Sequence, residues 1–118
     1  MKNNLILRTK EYAVKNWFFC SKIPRSREHN AYVNQLIRCS SSVGANYRAS
    51  QRAKSTADFL NKLKIVEGEA DESLYFLEIL KEVNPELSGD IEAIYQEGNE
   101  ILSIIVASIK KVKNNRNK

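Results

Sequence analysis

Arg38-Cys39-Ser40-Ser41-Ser42-Val43-Gly44-Ala45-Asn46-Tyr47-Arg48, or RCSSSVGANYR, sets three serines, a glycine and an asparagine inside a stretch that otherwise keeps helical spacing. Val33, Leu36, Ile37, Ser40, Val43, Gly44 and Tyr47 recur every three or four residues, the period of one helix face. Gly costs about 1 kcal/mol against Ala in a helix interior, and Ser and Asn cost several tenths each. Close approach of a neighbouring helix is the simplest offset, because small residues at 40, 42, 44 and 45 admit another backbone. The segment therefore reads as a packing surface flanked by Arg38 and Arg48. Asn46, if buried there, needs a partner such as a serine hydroxyl or a carboxylate from the next helix.

Working outward, this helix spans about His29 to Arg52, with Ser26 or Asn30 as its cap. Before it, Asn4 to Cys20 forms a first helix with Ile6, Ala13, Trp17 and Cys20 on one stripe and Leu5, Tyr12 and Phe19 beside it. After it, Ser55-Thr56-Ala57-Asp58 has the spacing of a capping box. The third helix carries Phe59, Leu63, Val66, Ala70, Leu74, Leu77 and Leu80 on one face and stops near Asn84-Pro85, since Pro disfavours helical geometry in the residue before it. A fourth begins between Pro85 and Asp90, with Ile91, Ile94, Gly98, Ile101, Ile105, Ile109 and Val112 in line. Gly68 and Gly98 also lie mid-helix and suggest a tightly packed waist. The basic end, Lys113 to Lys118, reads as frayed. The predicted fold is all-α, an antiparallel up-down four-helix bundle in a single domain over residues 1–118.

Two cysteines make no disulfide framework, and no apolar run is long enough for a signal peptide or a membrane span. A cytoplasmic protein with reduced thiols and no membrane association is expected. Charge is divided along the chain. Residues 1–66 hold thirteen Lys/Arg and three Asp/Glu, a balance of +10, whereas residues 67–109 hold one Lys and eleven acids, a balance of −10. Such blocks point to nucleic acid or to charge-complementary self-assembly; mutual neutralisation inside one bundle is the plainer alternative.

Trp17-Phe18-Phe19 leaves the first helix apolar on nearly every side, and Leu102, Ile104 and Val106 lie off the main stripe of the fourth. A helix of a monomer keeps a polar back, so these six residues are the expected homo-oligomer interface, against a monomer with a few exposed apolar side chains.

Little in the chain supports catalysis. The single histidine, His29, has no Glu three residues before it, so the metal-binding pattern of ferritin-like bundles is missing, and no metal or cofactor is expected. The pairs Glu67/Asp71 and Glu78/Glu82 read as solvated faces or as partners of Arg38 and Arg48. Cys20 and Cys39 read as small core residues, and Ser40 to Ser42 lack the G-x-S-x-G setting of a nucleophile. The chain is not expected to be an enzyme. Basic residues are the remaining candidates: Arg48, Arg52, Lys54, Lys62 and Lys64 surround one connection, while Arg25 and Arg27 fall at the opposite pole. Phosphate contacts from the first group would give sequence-tolerant, salt-sensitive binding to RNA or DNA.

The stretch RCSSSVGANYRAS, followed by QRAKSTADFLNKLKIVEGEADESLYFLEIL, resembles a bacterial four-helix-bundle family encoded by intervening sequences within 23S rRNA genes. A relative is the accessory variability determinant of diversity-generating retroelements. The family pattern ends its second helix with R-x-S-x-S-[IV]-x-x-N and then has a basic turn. F-x-x-[KF]-L-x-I and an acidic residue follow. Arg38, Ser40, Ser42, Val43, Asn46, Lys54, Ser55, Phe59, Leu63, Ile65 and Asp71 match it, whereas the first and fourth helices agree only in type. The resemblance implies a cytoplasmic bundle assembled as a homopentameric ring. It also implies association with nucleic acid or with a nucleic-acid enzyme such as a reverse transcriptase. Glu67, Glu69, Asp71 and Glu72 depart from the uniformly basic barrel of the retroelement relative.

Overall fold

The structure, a computed structural model, describes residues 4–116. It contains α1 (Asn4–Cys20), α2 (Arg27–Ser50), α3 (Thr56–Val83) and α4 (Ser88–Arg116), with one 3-10 turn, Pro85–Leu87, ahead of α4. Among the described residues there is no strand. Ser26 caps α2 by accepting from the His29 N–H, and Ser55 caps α3 by accepting from the Asp58 N–H. Pro85 opens the 3-10 turn, where its missing N–H is no loss. α4 continues helically through Lys113–Arg116, where the sequence suggests fraying; Asn117 and Lys118 lie outside the described residues.

Each helix packs on its neighbour in sequence, and α4 closes against α1. Ion pairs record the antiparallel register. Lys22 meets Asp90 at 3.1 Å while Arg8 meets Glu97 at 2.6 Å and Glu100 at 3.2 Å, so numbering rises along α1 as it falls along α4. Lys81 meets Glu92 at 2.9 Å and Glu78 meets Tyr95 at 2.8 Å, which set the same sense between α3 and α4. These contacts are those of an up-down bundle, 51 × 24 × 21 Å overall. α1 and α3 face each other across the diagonal, where Tyr12 Oη lies 2.8 Å from Ser73 Oγ.

The core is one continuous cluster, with Leu36, Val43, Leu63, Val66, Leu77, Leu80, Ile91, Ile101 and Ile105 fully enclosed. The fourth-helix stripe lies in it as expected, with Val112 half-buried. On α3, Leu60 is buried and Phe59 only half-buried. α1 needs a larger correction. Its inward face is Thr9, Tyr12, Asn16, Phe19 and Cys20, while Ile6 and Trp17 are exposed. Two inward positions are polar, so hydrophobic periodicity picked the wrong stripe. Helical backbone carbonyls make this possible: Thr9 Oγ1 donates to Leu5 O at 2.6 Å, and Asn16 Nδ2 donates to Tyr12 O at 2.9 Å.

The serine-rich stretch does bring a backbone close. A Cβ built on Gly44 would stand 3.3 Å from the carbonyl carbon and oxygen of Thr9. Gly98 is tighter still, with Tyr12 Oη and Leu74 Cδ2 at 2.6 and 2.9 Å from its notional Cβ. Both glycines therefore seat α1. Gly68 does not belong to that waist, since its Cβ would meet nothing within 4 Å. Asn46 finds its partner inside its own helix, donating to Ser42 O at 2.9 Å, rather than in a serine hydroxyl or an α3 carboxylate.

Candidate functional site

The basic group around the α2–α3 connection is organised by Asp58. Its carboxylate accepts from the Lys54 backbone N–H at 3.1 Å and from Lys62 Nζ at 2.6 Å, while its own N–H donates to Ser55, a variant of the capping box whose return bond reaches the residue before the cap. The Lys62 ammonium, then the Lys54 N–H, hold the Asp58 carboxyl below its usual range. Lys62 is thus already paired within the chain. Arg48, Arg52, Lys54 and Lys64 are exposed, and no ion pair engages them among the described residues. Lys64 follows Lys62 by two residues, about 200° around the helix, so the two point to different sides. The antiparallel return of α4 delivers Lys110, Lys111, Lys113 and Arg116, all exposed, to this same pole. Sequence reasoning left these four out; four helices of alternating direction are the signal that would have placed them there. Arg25 and Arg27 lie at the other pole, Arg27 beside Glu28 at 3.5 Å.

Part of the charge asymmetry is neutralised internally. Arg38 donates to Glu69 at 3.1 Å and Glu72 at 2.6 Å, and those two carboxylates raise its pKa. Arg8 is gripped likewise by Glu97 and then Glu100. Such exposed, solvent-screened pairs contribute little to stability. What they fix is register, because each joins two different helices.

The exposed apolar surface is larger than the sequence suggested, and lies partly elsewhere. Trp17 and Phe18 are 59% and 61% exposed and pack edge to face with ring centroids 5.1 Å apart. Leu7 and Val14 extend their face along α1. Phe19, counted above with the interface, points into the core of its own chain because it sits on the inward side of α1. Leu102 packs against that core and Val106 is half-buried, whereas Ile104 is exposed. α3 supplies a surface that sequence reasoning missed: Ile65, Tyr75 and Val83 are all about half exposed or more, at 49%, 58% and 58%. Tyr75 continues through the half-buried Phe76 to Tyr32, exposed on α2, with centroids 5.7 and 6.0 Å apart.

The side chains that carry chemistry elsewhere are occupied here. Burial pushes the Cys20 thiol up to about 11 and the Cys39 thiol up to about 12, which keeps both protonated. His29 bridges Ser26 and the buried Asn84, its Nδ1 2.8 Å from Ser26 Oγ and its Nε2 3.1 Å from Asn84 Oδ1, and so ties the start of α2 to the end of α3. Tyr95 donates to Glu78 at 2.8 Å in an open cleft of about 470 Å³ between α3 and α4. Among the described residues no helix is long and apolar enough to cross a membrane.

Fold and motif together define a four-helix-bundle class. The family model of the 23S rRNA-intervening sequence protein matches residues 2–107, and the chain belongs to that family. A crystal structure of a protein of unknown function from the S23 ribosomal protein family of Bacteroides thetaiotaomicron superposes with a TM-score of 0.82 at 30% identity. The match covers 89% of this chain and 97% of that one. No curated protein matches the chain.

Proposed function

We propose that this protein is a non-enzymatic, cytoplasmic, homo-oligomeric bundle, a ring of the pentameric kind its family resemblance implies. The carrying observation is the T-stacked pair Trp17 and Phe18, more than half exposed on the back of a helix whose other side is core. Side chains of that size and type concentrate binding energy at protein interfaces. Two buried free thiols suit a reducing compartment. Sedimentation velocity at tens of micromolar should give a discrete oligomer, and Trp17→Glu with Phe18→Glu should give a folded monomer. A monomeric parent protein would end this reading.

A second role rests on a separate observation, the exposed Arg48, Arg52 and Lys54, without an ion pair among the described residues, beside the basic end of α4. The assembled bundle presents this pole to RNA or DNA. Fluorescence anisotropy with structured RNA should show binding at low salt that weakens steeply with added salt and with Arg52→Glu plus Lys54→Glu. Partners that survive nuclease and high salt, with no anisotropy change, would favour a scaffold that docks only protein.

A further inference from the structure

The exposed face of α1 needs a counterpart, and α3 carries one. We infer that the outer face of α1 in one copy seats on the outer face of α3 in a second copy, an assignment that rests on the self-assembly reading above.

α3 is apolar on two sides. Leu63, Val66, Ala70 and Leu77 face the core, whereas Ile65, Tyr75, Ile79 and Val83 line the opposite side at helical spacing. A helix buried on one side only keeps a polar back. Gly68 lies in this outer stripe, and nothing stands within 4 Å of where its Cβ would be. Glycine there weakens the helix relative to alanine, and no packing within the chain requires it. Its missing side chain leaves a notch between Ile65 and Tyr75 that admits a neighbouring side chain closely.

Charge supports the same pairing. Lys10 and Lys15 border the α1 face, with Glu11 as its acid, while Asp71 and Glu82 border the α3 face, with Lys64 as its base. None of these six is ion-paired among the described residues. Size excludes the ends as the main contact. An end of about 24 by 21 Å offers roughly 500 Å², below the ~800 Å² per partner of a stable interface, whereas a side 51 Å long suffices. α1 and α3 sit on a diagonal, so their outer faces look in opposite directions. The contact is therefore head-to-tail and closes into a ring or runs on as a filament.

The test uses two surface variants of the full chain, Phe18→Glu on α1 and Gly68→Leu on α3, each checked for helical content and cooperative unfolding. Each alone should raise the apparent dissociation constant roughly thirtyfold or more. Mixed in equal amounts they should form a one-to-one dimer and nothing larger, since each retains the face the other lacks. If the parent protein assembles and Gly68→Leu assembles as well as it does, the α3 assignment is overturned while self-assembly stands. Loss of assembly in Phe18→Glu alone would then indicate α1 against α1. A monomeric parent protein removes both.

Discussion

Gly98 stands where Tyr12 leaves no room: a Cβ there would lie 2.6 Å from Tyr12 Oη, which is itself held 2.8 Å from Ser73 Oγ. Tyr12 is fully enclosed, so its ring has nowhere to retreat. The contact fixes how α1 crosses α4.

The three mid-helix glycines should therefore respond differently to alanine. Gly98→Ala gains about 1 kcal/mol of helix propensity but forces a core shift costing about 1–3, for a net loss of about 0–2. Gly44→Ala, at 3.3 Å from the Thr9 backbone, should come out close to neutral. Gly68→Ala, in open space, should stabilise by about 1 kcal/mol. Urea unfolding of the set in a Phe18→Glu background gives the ranking, and a Gly98→Ala protein as stable as Gly68→Ala would contradict it.

Asn16 should be replaceable at a gain. Its Oδ1 is buried without a hydrogen-bond partner in the structure, and a buried orphan of that kind costs about 1–3 kcal/mol. Asn16→Leu keeps the branch at Cγ and removes the polar atoms, so the unfolding midpoint should rise. A lower midpoint would mean that the amide is satisfied in solution, by water for example.

Asp58 predicts a limb in the acid stability profile. Its folded pKa is depressed, first by Lys62 and then by the Lys54 N–H. Its contribution is complete above the unfolded Asp value, about 3.9, and fades as pH falls through the lower folded value. Asp58→Asn, which still accepts from the Lys54 N–H, should lose stability near neutral pH and show a shallower decline below about pH 4. Parallel profiles for the two proteins would remove the assignment.

Both thiols should be silent in the native protein. With Cys20 and Cys39 raised to about 11 and about 12 and both buried, an aromatic disulfide reagent at pH 8 should label neither until denaturant is added. Rapid native labelling of either would show that α1 or α2 opens locally.

The fold was legible because four apolar stripes, two serine caps and one proline all agreed on helix number and length. The α1 face was not, since Thr9 and Asn16 are inward only by virtue of hydrogen bonds to their own helix. Composition therefore pointed outward for residues that face inward, and inward for Ile6 and Trp17. The packing role of Gly44 was readable from its weak helix propensity. The contrast between Gly98 and Gly68 was not, because propensity is the same at both and only the neighbours differ. At the basic pole, Lys62 looked like its neighbours until Asp58, one turn back, claimed it.

The order of contacts carries a consequence for how the chain comes together. α1 meets α2, α2 meets α3 and α3 meets α4 as successive hairpins, each closed by a short connection. Local pairings of this kind carry a small loop-closure penalty and form early. Only the return of α4 to α1 spans the whole sequence, and Arg8, Lys22 and Gly98 lie on that seam. That seam therefore carries the largest loop-closure penalty of the four, and it can form only after α4 has been synthesised.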